Sequence, residues 1–206
     1  MTRVISYVDG FNLYFGLKSK GWKRHYWLDL VALSHDLLKA DQTLRACYFF
    51  TARLRDNGRN QADKQRQDDY LDALSTRHEL HIQYGHFLEK TRRCKTCGAT
   101  WPDYEEKMTD VNIAVQLLAD AFDDRFDTAL ILSADSDLTT PVRQVLDRFP
   151  DKRIIVVQPP GRNSAELKKA ATAAFTLSQT KVRQNQLPET VTTADNMTLK
   201  RPATWK

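Results

Sequence analysis

Asp9, Asp110, Asp135 and Asp137 are the residues on which chemistry in this 206-residue chain would turn. Asp9 closes the apolar, β-branched run Val4–Val8, which reads as a buried strand. Asp135 and Asp137 follow a second such run, Thr128–Leu132, and Asp110 opens the amphipathic stretch Asp110–Asp124. Open parallel sheets bind ligands outside the carboxyl ends of their strands, so these acids are expected to gather on one rim. Two carboxylates about 4 Å apart repel by roughly 4 kcal/mol at an effective dielectric of about 20. A cluster of them therefore asks for a cation, and oxygen donors without His or Cys beside them select a hard divalent ion, Mg²⁺ or Mn²⁺. Each acid also has a purely structural role open to it: a turn at Asp9-Gly10, an N-cap at Asp135 or Asp137, a favourable charge at a helix start for Asp110.

The elements that must position these groups follow from periodicity. Asn12–Lys20 and Leu28–Ala40 carry helical apolar spacing, with Gly21 closing the first and Asp29 opening the second. Leu44–Ala52 reads as a strand, 59–78 as a polar helix with Tyr70, Leu71 and Leu74 on one side, and Leu80–Phe87 as a third strand. Cys94, Cys97, Gly98 and Pro102 interrupt the pattern, so 89–106 is expected to be an inserted loop or hairpin. In Asp110–Asp124, Val111, Ala114, Val115, Leu118, Ala121 and Phe122 repeat at three and four. Ile113 and Leu117 widen the stripe, which predicts a largely buried helix. Asp137–Phe149 reads as a helix, Arg153–Val157 as a strand and Ala165–Ala174 as a short helix. This alternation means α/β with a mainly parallel sheet. Residues 179–206 lack periodicity and are rich in Thr and Pro, and Lys181, Arg183, Lys200, Arg201 and Lys206 outnumber Glu189 and Asp195 there. They are expected to form a flexible basic tail holding most of the net charge of +5 and adding phosphate contacts.

Three strings carry a resemblance. Val8-Asp9-Gly10-Phe11-Asn12-Leu13-Tyr14, then Glu105-Glu106-Lys107-Met108-Thr109-Asp110-Val111-Asn112, then Leu132-Ser133-Ala134-Asp135-Ser136-Asp137-Leu138, resemble in order the NYN domain of the PIN-like metal-dependent ribonucleases, in particular its bacterial LabA-like members. The resemblance covers about residues 3–178, giving a domain over 1–178 with an insertion at 89–106 and the tail beyond. It implies a Rossmann-like three-layer α/β/α sandwich with a mainly parallel sheet, and hydrolysis of RNA phosphodiesters in an acidic Mg²⁺ or Mn²⁺ pocket. By position, Asp9, Asp110, Asp135 and Asp137 match the acidic, metal-holding set. Asn12 and Ser133 match its polar supports, and Lys107 the Glu-Lys-x-x-Asp string. The family often has Gly where this chain has Met108 and Ala134.

The residue types suit that chemistry on their own. Carboxylate-held ions activate a water and neutralise a leaving oxygen, Asn12 can orient a phosphate, Ser133 can steady a carboxylate, and Lys107 can meet a phosphate. Tyr14, and the interleaved aromatic and basic groups of Trp22-Lys23-Arg24-His25-Tyr26-Trp27, are what a single-stranded RNA groove uses, with Lys23 and Arg24 tracking phosphates. Cys94-Lys95-Thr96-Cys97-Gly98 resembles half a zinc knuckle. Four ligands are needed, which leaves Cys47, His78, His81, His86 or a second chain in a homodimer to complete it, with His86 the favoured third ligand. A cytoplasmic protein is expected, because no apolar run approaches the roughly 20 residues of a membrane span and the odd cysteine count argues against a disulfide framework. The alternative to a nuclease is an RNA-associated regulatory module that keeps the pocket and turns over little. A phosphatase or nucleotide hydrolase fits less well, for the chain has neither a Gly-x-x-x-x-Gly-Lys-Ser/Thr loop nor a second Asp after Asp9-Gly10.

Overall fold

Alternating side chains of the strands point to two separate apolar layers, and that division builds the molecule. A computed structural model describes residues 1–56, 58 and 60–206, with backbone only at 102 and 105. In chain order the strands and helices are β1 (Thr2–Asp9), α1 (Gly10–Ser19), α2 (Leu30–Asp36), β2 (Gln42–Thr51), α3 (Gln61–Leu74), β3 (Leu80–Tyr84), β4 (His86–Arg93), β5 (Thr100–Lys107), α4 (Thr109–Phe122), β6 (Thr128–Leu132), α5 (Thr139–Arg148), β7 (Arg153–Gln158), α6 (Ala165–Ala170), β8 (Ala173–Thr176), α7 (Gln179–Gln184), β9 (Thr190–Thr192) and β10 (Thr198–Lys200). The main sheet runs β3-β2-β1-β6-β7-β8, parallel throughout. Val4 and Val8 of β1 face one layer, with Leu13 and Leu17 of α1, Leu30 and Leu33 of α2, Leu71 and Leu74 of α3, and Val182 of α7. Ile5 and Tyr7 face the other, with Ile113 and Leu117 of α4, Val142 and Val145 of α5, and Leu167 of α6. The result is the expected three-layer α/β/α sandwich with a mainly parallel sheet.

The strand order reverses direction between β1 and β6, and in an open α/β sheet that reversal opens a crevice at the strands' carboxyl ends. Register sets what meets there: Val8 pairs with Leu132, so Asp9 comes level with Ser133. Helix α4 is fastened to the sheet from below. The Tyr7 hydroxyl donates to Asp120 Oδ2 at 2.8 Å, and Asp120 Oδ1 accepts from Gln116 at 3.0 Å and Arg125 at 2.8 Å. That buried network fixes the helix whose first turn carries Asp110.

The insertion is a two-stranded antiparallel hairpin, β4–β5, running from His86↔Lys107 at its base to Arg93↔Thr100 near its tip. It cuts the expected third strand at Gly85, where a Cβ would lie 2.5 Å from Lys107 O and 2.8 Å from a Glu106 oxygen. Three expectations need correction. Helix α4 is not largely buried: Ile113, Leu117 and Ala121 are, while Val111, Val115 and Phe122 stand in solvent, since one face alone meets the sheet. The expected helix Ala165–Ala174 ends at Ala170, and Ala173–Thr176 adds the edge strand β8.

The third correction is the tail, which is no mobile arm. Residues 179–206 fold back over the first layer, burying Val182, Leu187, Val191 and Trp205. Trp205 sits among Tyr26, Trp27 and Tyr70, with ring centroids 5.7, 6.2 and 6.0 Å away. The Trp27 indole N–H donates to Pro188 O at 2.7 Å, and Leu187 N–H donates to Trp27 O at 2.9 Å. Isolated apolar residues, each seated in one cavity, show no period in the sequence yet hold the segment down. Trp205→Ala is accordingly expected to cost about 3–5 kcal/mol, the usual range for a buried Trp truncation. Urea unfolding measures it, and a change below about 1 kcal/mol would mean the segment is not part of the core.

Candidate active site

The crevice above β1 and β6 is braced across its floor by a short hydrogen-bond clip. Asp9 caps α1, its Oδ1 accepting the Asn12 N–H at 2.9 Å. Its Oδ2 accepts from the Ser133 hydroxyl at 2.8 Å, across the gap from the neighbouring strand. Ser133 Oγ in turn accepts the Asp135 N–H at 3.0 Å, and Asn12 Oδ1 accepts the Ala134 N–H at 3.1 Å. Gly10 is required at this turn, because a Cβ there would meet Phe50 O at 2.7 Å. Asp135 caps the following 3₁₀ turn by accepting the Asp137 N–H at 2.9 Å. The modest capping roles and the functional placement therefore coexist in the same side chains.

Asp9, Asp110 and Asp135 line one cleft of about 230 Å³, together with Glu106, Asn12 and Arg162. Asp137 is exposed outside the lining, although its charge still acts on Asp110. Burial pushes the Asp9 carboxyl up to about 6; the hydrogen bonds from Asn12 and Ser133 oppose this, and the charges of Asp135 and Glu106 add to it. Asp110 rises to about 7, first through burial and then through Asp9, Asp135, Glu106 and Asp137. The cleft is thus a set of oxygen donors that resist being charged together. Their chemistry suits a hard divalent cation. Among the described residues, however, no three His, Cys, Asp or Glu side chains already stand where they would grip one ion.

Several expected residues lie elsewhere. Ser133 is fully buried, where it steadies Asp9 and Asp135 and does not itself line the cleft. The Asn12 side-chain oxygen is occupied by Ala134, which makes it a positioning group first. Lys107 ends β5 outside the cleft lining. Tyr14 is exposed beside the cleft wall, its ring 5.3 Å from Phe15 and 5.2 Å from Tyr26. Lys23 and Arg24 lie beyond it, away from the acids. Cys94 and Cys97 are free thiols at the hairpin tip. His86 opens β4 at the other end of the hairpin, and eight residues of strand at about 3.3 Å each rule it out as their third ligand. Cys47 is buried in the core.

Two charged residues of the cleft, Glu106 and Arg162, have no role assigned from the sequence. Glu106 accepts the Thr109 N–H at 3.0 Å and so starts α4. Its place in the Glu-Glu-Lys string beside Asp110 was the available signal. Arg162 lies in the Pro159-Pro160-Gly161-Arg162 loop after β7 and places its guanidinium 5.8 Å from the Phe15 ring centroid. Its signal was position alone, a basic residue just past a parallel strand. Met108, where the family often has Gly, takes φ 80°, the left-handed region that glycine occupies without strain.

Fold and site together define a doubly wound α/β protein with an acidic cleft at its switch point. The NYN domain family matches residues 3–179, and the chain belongs to that family, within the PIN-like superfamily. A curated relative is 28% identical over 185 residues, 6-hydroxy-3-succinoylpyridine 3-monooxygenase HspA of Pseudomonas putida. The match takes in 74% of this chain and 58% of that protein, so this chain spans little more than half of its relative. Among solved structures, a protein of unknown function from Vibrio parahaemolyticus, VPA0982, aligns with a TM-score of 0.56 and 17% identity. That alignment covers 86% of this chain and 94% of the other, and it bears on the fold. No helix of the described residues is long and apolar enough to cross a membrane.

The raised acids make a signed prediction. An acid that holds its proton more tightly when folded stabilises the fold at low pH, and that contribution is lost as pH climbs from its unfolded value to its folded one. In divalent-free buffer, Asp110→Asn is expected to match the parent in Tm near about pH 4 and to melt progressively higher than it as pH rises through about 7. Thermal melts across that range test it; curves that stay parallel would show that the fold does not hold a proton on Asp110.

Proposed function

We propose that this chain is a metal-dependent ribonuclease that hydrolyses RNA phosphodiesters at the acidic cleft. The observation that carries the reading is the convergence of Asp9, Asp110, Asp135 and Glu106 on one cleft of an NYN domain, with Arg162 on its wall. Asp9, Asp110 and Asp135 would hold Mg²⁺ or Mn²⁺, with Asp137 adding charge from outside. A bound divalent ion supplies an activated water and neutralises charge on the reacting phosphate. Asp9 reaches the cleft with its orientation set by Ser133 and the Asn12 N–H, so its direction is fixed before ligand arrives. Arg162 offers a guanidinium to a non-bridging phosphate oxygen, a donor suited to that group. Tyr14 and Phe15 are partly exposed next to it, rings of the kind on which the bases of a single strand stack.

The alternative, an RNA-binding regulatory module with little turnover, draws support from one feature: both Asp9 oxygens already accept hydrogen bonds. Cleavage of labelled single-stranded RNA with Mn²⁺ separates the two. The nuclease reading expects Asp9→Asn and Asp135→Asn each to lose at least about a hundredfold in rate, equivalent to a few kcal/mol of barrier. RNA binding with no cleavage would favour the module. Turnover of 6-hydroxy-3-succinoylpyridine, the compound in the relative's name, is the control for an oxygenase.

We further propose that Cys94 and Cys97 form half of a tetrahedral zinc site completed by a second copy of the chain. The tip is folded as a compact turn, with Gly98 at φ 73° and Gly98 N–H donating to Cys94 O at 3.0 Å. Backbone N–H groups of Cys97 and Thr96 draw the Cys94 thiol down to about 7, which favours the thiolate a metal needs. Metal analysis is expected to find one zinc per two chains, lost together with the dimer in a Cys94→Ser, Cys97→Ser double variant. Zinc-free protein purified without chelator would remove this site.

A further inference from the structure

A second cleft, of about 560 Å³, shares no lining residue with the acidic one. It opens between the 3₁₀ turn Lys23–His25 and the C-terminal segment that folds back over it. Arg24, Arg183, Arg201 and Lys206 supply four side-chain cations to its walls, against one side-chain carboxylate, that of Glu189. That carboxylate is already taken, meeting Arg201 at 2.8 Å and Lys206 at 3.4 Å. Arg201 is further fixed by donating to the carbonyls of Trp205 and Arg24. Arg24 and Arg183 have no carboxylate partner among the described residues, yet their charges converge on His25 with that of Arg201.

The independent observation is inside the cleft. His25 is only 4% exposed, and its Nε2 is buried without a hydrogen-bond partner. Gln186 donates from its amide to Val182 O at 2.7 Å, which leaves Oε1 as an acceptor, also buried and unpartnered. Buried polar atoms in a native fold are almost always satisfied, and two orphans beside unpaired guanidinium groups point to an absent ligand. The cations ask for an anion. The Gln186 acceptor asks for a donor beside the anion, which a ribose hydroxyl supplies, and the excess of cations favours the near-dianion of a phosphomonoester over the monoanion of an internal phosphodiester linkage. A cleft of this size accepts a nucleotide.

A row of rings runs between the residues of the two clefts. Tyr26 follows His25 directly and lies tilted at 55° to Tyr14, which meets Phe15 edge-on, and Phe15 faces Arg162 at the acidic site. Lys18 holds its ammonium 5.7 and 5.9 Å from the Tyr14 and Phe15 ring centroids. A short single strand crossing this aromatic row would leave a phosphate at each end of it. We propose that the basic cleft binds the terminal phosphate of the RNA strand whose internal linkage lies in the acidic cleft, so that the chain distinguishes phosphorylated from hydroxyl ends. This rests on the RNA reading above and adds an end-recognition site to it.

The test compares short single-stranded RNAs of one sequence carrying a 5′-phosphate, a 3′-phosphate or hydroxyls at both ends, bound to the full chain in chelator. One phosphorylated form is expected to bind about tenfold tighter than the hydroxyl form, the worth of one or two charge-assisted hydrogen bonds. Which end gains identifies the strand's direction. In an Arg24→Ala, Arg183→Ala double variant, both changes being at exposed side chains, that ratio is expected to fall to about one. A melt with inorganic phosphate and with a nucleoside monophosphate runs in parallel, and both are expected to stabilise the parent chain more than the variant. RNA that is bound and cut with no end preference overturns the proposal and leaves the nuclease reading standing. An end preference without cleavage supports it and removes turnover. Stabilisation by the nucleoside monophosphate with no RNA binding at all overturns both, assigning the cleft to a free nucleotide.

Discussion

The clip between Asp9 and Ser133 is the contact on which the acidic cleft depends. It bridges the ends of two strands that are sheet neighbours but lie more than a hundred residues apart in the chain, at the point where the strand order reverses. An open sheet parts its helices there, and just past the last backbone pair, Val8 with Leu132, the clip carries the tie between the two strands into the cleft. Ser133 spends its one proton on Asp9 and takes the Asp135 N–H in return, so one buried hydroxyl sets the direction of two acids. Asn12 repeats the device one step outward through Ala134. Four groups of low individual worth thus hold apart, and at fixed bearing, charges that would otherwise move to avoid one another.

What remains mobile in charge is the proton. Asp9 and Asp110 are pushed towards neutrality by burial and by one another, so the cleft can lower its energy in two ways, by keeping protons or by taking a cation. Like charges fixed to a rigid frame settle at the separation the frame allows, and only an ion of opposite sign gives them reason to approach.

Much of this was legible from residue order. β1 and β6 announced themselves as short β-branched runs ending in acids, and Asp29 is the cap its position suggested, accepting from Val31 and Ala32. Legibility failed where information is not local. β8 is Ala173-Ala174-Phe175-Thr176, too short and too plain to read as a strand, and it exists because β7 offers an edge. Helix α4 showed more apolar positions than its sheet contact can cover, since hydropathy does not say which face is used. The last 28 residues looked structureless because Val182, Leu187, Val191 and Trp205 each fill a separate place in a surface assembled from residues far upstream. Arg162 was missed for the related reason that a loop's destination is set by the strands around it.

The β4–β5 hairpin has a consequence beyond the metal it could carry. Everything before its tip supplies β1, β2 and β3 with Asp9 and Asn12; everything after it supplies β6, β7 and β8 with Asp110, Ser133 and Asp135. The tip is therefore a seam between two three-stranded half-sheets, and neither half owns a complete cleft. A break in the exposed Cys94–Cys97 turn would leave each fragment with one arm of the hairpin, eight residues long and in register with the other. The molecule is in effect two complementary pieces joined by a ribbon that already knows how to rejoin them, and a split reporter made at this point would light only when both halves of the acidic cleft meet.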